Sequence, residues 1–146
     1  MDESEFWEII DSSVRAEMHE AVTEIENRLE SLSGDEIKSF HDHLSEALFK
    51  LDRKDLSESG YRFLGAYEAD GQSADDFLFA RCAVLLSGSE VFARVLADPS
   101  AFGVAWDWCG QDVLNVISEA FEEVTGDAWE YDSPVSYETG SNIESW

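Results

Sequence analysis

The chain has 146 residues, and its 33 acidic side chains against 9 lysines and arginines give a formal net charge of -24. Such a field repels phosphate backbones and anionic membrane surfaces, which argues against direct nucleic-acid binding and favours a basic protein, a cation, or simple solubility. With 44% hydrophobic and 12% aromatic residues, the chain still holds enough apolar material for one folded core.

The N-terminus, Met1-Asp2-Glu3-Ser4-Glu5, is acidic where a signal peptide is basic, and no apolar run approaches the roughly 20 residues that span a bilayer. A soluble, cytoplasmic protein with no membrane partner is expected. Apolar residues recur at helical spacing throughout, which predicts an all-α bundle of about six or seven helices. Phe6, Trp7, Ile9 and Ile10 open a first short helix behind Ser4. Val14, Met18, Ala21, Val22, Ile25, Leu29 and Leu32 form one long apolar stripe, read as a second helix.

Ser33-Gly34-Asp35-Glu36 has the form of a capping box, and Ile37, Phe40, Leu44, Leu48 and Leu51 follow it as a third helix. The charged stretch Asp52-Arg53-Lys54-Asp55 breaks the chain before Leu56, Tyr61, Phe63, Leu64 and Tyr67 resume an apolar pattern. Asp70-Gly71-Gln72-Ser73 reads as a turn, with Ser73 capping a helix that carries Phe77, Ala80, Val84 and Leu85 on one face. Ser87-Gly88-Ser89-Glu90 ends that helix and starts another, which stops at Asp98-Pro99; Pro99 opens a short helical turn.

A last long helix is read from Trp106 through Cys109, Val113, Val116, Ile117, Ala120, Phe121 and Val124, ended by a left-handed Gly126. Residues 1–126 thus form a single helical domain. Residues 127–146 form an irregular acidic, aromatic C-terminal tail, packed or partly disordered, that carries Trp129, Tyr131, Tyr137 and Trp146.

Nothing in the sequence discloses a catalytic centre, and neither a metal nor a cofactor is expected. Cys82 and Cys109 sit among apolar neighbours and read as reduced core thiols. His41 and His43 are two apart on a helix, so they point to different sides and do not share a metal. The stretch Asp70–Asp76 lacks the spacing that gathers oxygens around calcium. No glycine-rich phosphate loop or nucleophile turn occurs. Arg81 and Arg94 interrupt apolar helices; the expectation is a stem laid along the core with a carboxylate at the tip.

The chain resembles an uncharacterised bacterial family, domain of unknown function 4240. The similarity runs from Phe6-Trp7-Glu8-Ile9-Ile10-Asp11 to Glu119-Ala120-Phe121-Glu122-Glu123-Val124-Thr125-Gly126. At its centre are Ser73-Ala74-Asp75-Asp76-Phe77 with Arg81, then Gly88-Ser89-Glu90-Val91-Phe92 and Leu96-Ala97-Asp98-Pro99. The family tends to have Ser-Asp-Asp and an aromatic before the arginine, where this chain has Ser73-Ala74-Asp75 and Ala80. The resemblance implies one bacterial cytoplasmic domain and brings no activity with it.

Three functional readings follow. The first is a non-enzymatic acidic interaction module, of immunity, antitoxin or regulatory type, that engages a basic protein, with Trp129, Tyr131, Tyr137 and Trp146 as aromatic anchors. A second is nucleic-acid mimicry, since a globule of this length and a similar stretch of duplex carry like charge. A third is an enzyme or small-ligand binder with a pocket near Asp75, Asp76 and Arg81. The oligomeric state is open.

Overall fold

The computed structural model of the chain describes residues 1–63, 73–105 and 108–146. Its α-helices are α1 (Glu3–Ser13), α2 (Met18–Leu29), α3 (Gly34–Leu51), α4 (Lys54–Phe63), α5 (Ala74–Leu86), α6 (Ser89–Ala97) and α7 (Val113–Thr125). Short 3₁₀ segments occupy Pro99–Ala105, Trp108–Asp112 and Ile143–Ser145. Among the described residues there is no strand, and the fold is all-α as expected.

Helix starts follow local hydrogen-bond chemistry. Ser33 caps α3 as the capping box predicts, its amide donating to the Glu36 carboxylate at 2.8 Å while its hydroxyl accepts from the Glu36 amide at 3.3 Å. An unforeseen second box opens α1. Asp2 accepts from the Glu5 amide at 2.9 Å, and Glu5 accepts from the Asp2 amide at 2.7 Å, so the helix begins ahead of Ser4 and not behind it. Ser73 accepts from the Asp76 amide at 3.1 Å and starts α5 as expected.

The long stripe from Val14 to Leu32 divides. Ser12 and Ser13 hydroxyls turn back onto the carbonyls of Glu8 and Ile9, α1 ends at Ser13, and Val14 is left at its exposed C-cap. α2 therefore spans only Met18–Leu29, and Leu32 follows its end. The last helix is also shorter than predicted: α7 starts at Val113, after a 3₁₀ turn in which Gly110 meets the α5 backbone. A Cβ on Gly110 would lie 2.9 Å from the Ala83 nitrogen, so this approach requires glycine. Gly126 ends α7 with φ 74°, as predicted. Leu64, Tyr67, Trp106 and the turn at 70–72 lie outside the described residues.

α5 is the hub. It packs against α1, α2, α3, α4 and α6 and against the 3₁₀ segments Pro99–Ala105 and Trp108–Asp112. The sequence suggested one apolar face, whereas Phe77, Leu78, Ala80, Cys82, Val84, Leu85 and Leu86 are all buried, which covers every side of the helix. Full burial of each large apolar side chain contributes about 1.5–3 kcal/mol, so this helix anchors the core. Burial also pushes the Cys82 thiol up to about 12, which fits the inert core thiol expected of it.

α1 supplies the cap of α6. Gly88 turns with φ 103°, and the Asp11 carboxylate accepts from the Ser89 amide and the Ser89 hydroxyl, each at 2.6 Å. A carboxylate at a helix N-terminus satisfies free backbone donors and opposes the helix dipole. α6 ends at Asp98, before Pro99, as predicted. No described helix is long and apolar enough to cross a membrane.

Candidate functional site

Beyond Gly126 the chain forms a non-helical arm up to the 3₁₀ turn at Ile143–Ser145. Burial along the arm alternates residue by residue. Trp129, Tyr131, Ser133, Val135, Tyr137 and Thr139 are half-buried, and Glu130, Asp132, Pro134, Ser136, Glu138 and Gly140 between them are exposed. A period of two is that of an extended backbone with one face against the body.

Two buried charges on the body hold the arm. Arg81 of α5 is fully buried; its Nη1 donates to the carbonyls of Leu48 and Tyr137, each at 2.9 Å, and its Nη2 to the Thr139 hydroxyl at 3.0 Å. Leu48 lies in the last turn of α3, where carbonyls lack helical partners and favour a cation. The carboxylate expected at the tip of Arg81 is absent from ion-pair range among the described residues, because the guanidinium faces main-chain oxygens there. Burial pushes its pKa below the ordinary value, and the negative charge of Asp52 pulls it back up. The ring of Phe77 lies 4.8 Å from the guanidinium carbon.

Asp52, which follows α3, is the opposite pole. It is fully buried and accepts from the Gly140 and Asn142 amides at 3.0 Å each and from the Trp146 indole at 2.9 Å. Asn142 in turn donates its side-chain amide at 3.1 Å to the Phe49 carbonyl, which also accepts from the Asp52 amide at 3.0 Å.

Between α3 and the arm lies a cavity of about 420 Å³ walled by His41, Trp129, Tyr131 and Tyr137, with Asp132 and Glu138 among its polar lining. The ring of His41 meets those of Trp129, Tyr131 and Tyr137 edge to face, at interplanar angles of 68°, 77° and 75°. Trp129 also packs on Phe121 of α7 at 5.2 Å between centroids. The Tyr131 hydroxyl donates to Asp42 at 2.8 Å, a bond that raises the phenol pKa. His41 is buried with Nδ1 unpartnered; burial lowers its pKa and outweighs the opposing charges of Asp42 and Asp132. Its imidazole is therefore neutral near pH 7.

The structure gathers three of the residues singled out in the sequence, Trp129, Tyr131 and Tyr137, at this cavity. Trp146 stands apart, edge to face on Phe77 and bonded to Asp52. Asp75 is exposed and Asp76 half-exposed in the first turn of α5, and neither forms an ion pair with Arg81. Arg94 makes the expected ion pair, with Glu90 one turn earlier at 3.2 Å, but both side chains are exposed and the Arg94 stem does not lie along the core as expected. His41 and His43 do diverge: His43 packs on Phe6, with Nε2 3.2 Å from the Met1 carbonyl oxygen. Sequence reasoning missed His41 as a wall and Asp52 as an anchor. The alternation of Trp129, Tyr131 and Tyr137 with acidic residues was a visible signal of an extended arm but not of His41, and nothing marks Asp52 within its charged run.

The family model described as Protein of unknown function (DUF4240) matches residues 1–130. No curated protein and no solved structure matches the chain.

Proposed function

The chain belongs to the domain of unknown function 4240 family, and we propose that it is a cytoplasmic, non-enzymatic acidic module that engages a basic protein. The observation that carries this reading is the cavity walled by Trp129, Tyr131 and Tyr137 and flanked by the exposed carboxylates of Asp132 and Glu138. Aromatic anchors supply much of the affinity in protein interfaces, and a field of charge -24 speeds the approach of a cationic partner and turns away anionic ones. The chain also accepts a cation on this cluster already: Lys38 Nζ lies 5.6 Å from the Tyr131 ring centroid and 5.4 Å from that of Phe121.

The test is retention of basic proteins by the immobilised chain at low and raised salt, beside an Asp132→Asn/Glu138→Gln variant. The reading expects a defined basic protein held at low salt, released at high salt and held less by the variant. Failure to retain any basic protein at low salt overturns it.

A further inference from the structure

Resting on that interaction reading, we propose that the cavity between α3 and the arm is a receptor for one arginine side chain of the basic partner. Its volume of about 420 Å³ lies in the range of pockets that enclose a ligand group. Its walls provide what a guanidinium recognises. His41, Trp129, Tyr131 and Tyr137 meet edge to face and bring four aromatic rings to one cavity, and aromatic rings attract a flat cation laid against them.

The polar lining is made of acceptors. The side-chain carboxylates of Asp132 and Glu138 take part in no hydrogen bond or ion pair among the described residues, and Ser133 and Ser136 stand between them in the chain. No lysine or arginine lines the cavity, and the neutral His41 adds no opposing charge. Its Nδ1 is buried without a hydrogen-bond partner.

Guanidinium fits this set better than ammonium. It is planar, weakly hydrated, stacks on aromatic faces and offers five N–H donors in a fork that matches carboxylates, whereas an ammonium is a compact, strongly hydrated point charge. The same chain shows the preferred contact internally, with the Arg81 guanidinium over the Phe77 ring.

The experiment titrates the full chain with three otherwise neutral peptides that carry a single arginine, lysine or citrulline, followed through the Trp129 indole resonance. Saturable binding of the arginine peptide is expected, about tenfold tighter than lysine, with no saturation by citrulline. Asp132→Asn/Glu138→Gln, which removes two exposed negative charges and keeps side-chain shape, weakens the arginine peptide about tenfold; Tyr137→Leu does the same by removing a ring. Equal binding of citrulline, or unchanged affinity in both variants, overturns the receptor. If the arginine peptide fails to saturate while a whole basic protein is still retained at low salt, the receptor falls and the interaction reading stands.

Discussion

Arg81 and Asp52 hold neighbouring stretches of one arm: the guanidinium takes the Tyr137 carbonyl and the Thr139 hydroxyl, and the carboxylate takes the Gly140 and Asn142 amides. Both charges are buried, and each faces main-chain groups of the complementary kind, so the body binds the arm as a helix end binds its cap.

Asp52→Ala removes the acceptor of three donors and leaves Arg81 without its nearby compensating charge. A loss of about 3 kcal/mol is expected, since breaking a buried charged network strands its partner. Urea unfolding measures the loss, and faster chymotryptic cleavage at Tyr137 in the variant distinguishes a loosened arm from uniform destabilisation.

His41 makes stability depend on pH. Its folded-state pKa is lowered from 6.5, so only well above 6.5 is the imidazole neutral in both states and without slope. Below 6.5 the unfolded chain takes up the proton first, and stability falls as pH drops toward the folded value. In His41→Gln the decline in unfolding free energy between about pH 7 and about pH 5 is shallower. An unchanged slope would mean that His41 contributes nothing to it.

Gly110→Ala sets a Cβ 2.9 Å from the Ala83 nitrogen and 3.1 Å from its Cα. Both are backbone atoms of the central helix, so the clash moves α5 or the 3₁₀ turn, at a cost of about 1–3 kcal/mol. Thermal unfolding at matched conditions reads the shift; a melting temperature equal to the parent would show that the two backbones have slack.

Asp11→Ala uncaps α6. The Ser89 amide and hydroxyl lose their acceptor, and about 1 kcal/mol of stability goes with it. Hydrogen exchange in the first turn of α6 speeds up more than in α7, which a global effect alone would not produce.

Most helices were legible because their signals are local. Ser33 with Glu36, Ser73 and Gly126 each fix a boundary through bonds to residues a few positions away, and Pro99 fixes one by crowding the residue before it. The divided second stripe was not, since Ser12 and Ser13 compete for carbonyls in a way that apolar spacing does not register. The site was partly legible. Three of its aromatics stood out, but their partner His41 lies 88 or more residues earlier, and a helical period was the wrong template for an arm of period two. Asp52 and Arg81 bind the arm mostly through main-chain atoms, which every sequence supplies, and only Thr139 and Trp146 answer them with side chains.

Because Arg81 and Asp52 grip the arm largely through its main chain, the exposed Asp132 side chain takes part in none of the bonds that seat it. Asp132 at the cavity can be rewritten while the arm stays seated, whereas Ser136 accepts from the Glu138 amide and the Ser141 hydroxyl and Glu138 lends its charge to Arg81. A designer, or natural drift, can therefore exchange the chemistry at the cavity's rim for another specificity without rebuilding the scaffold beneath it.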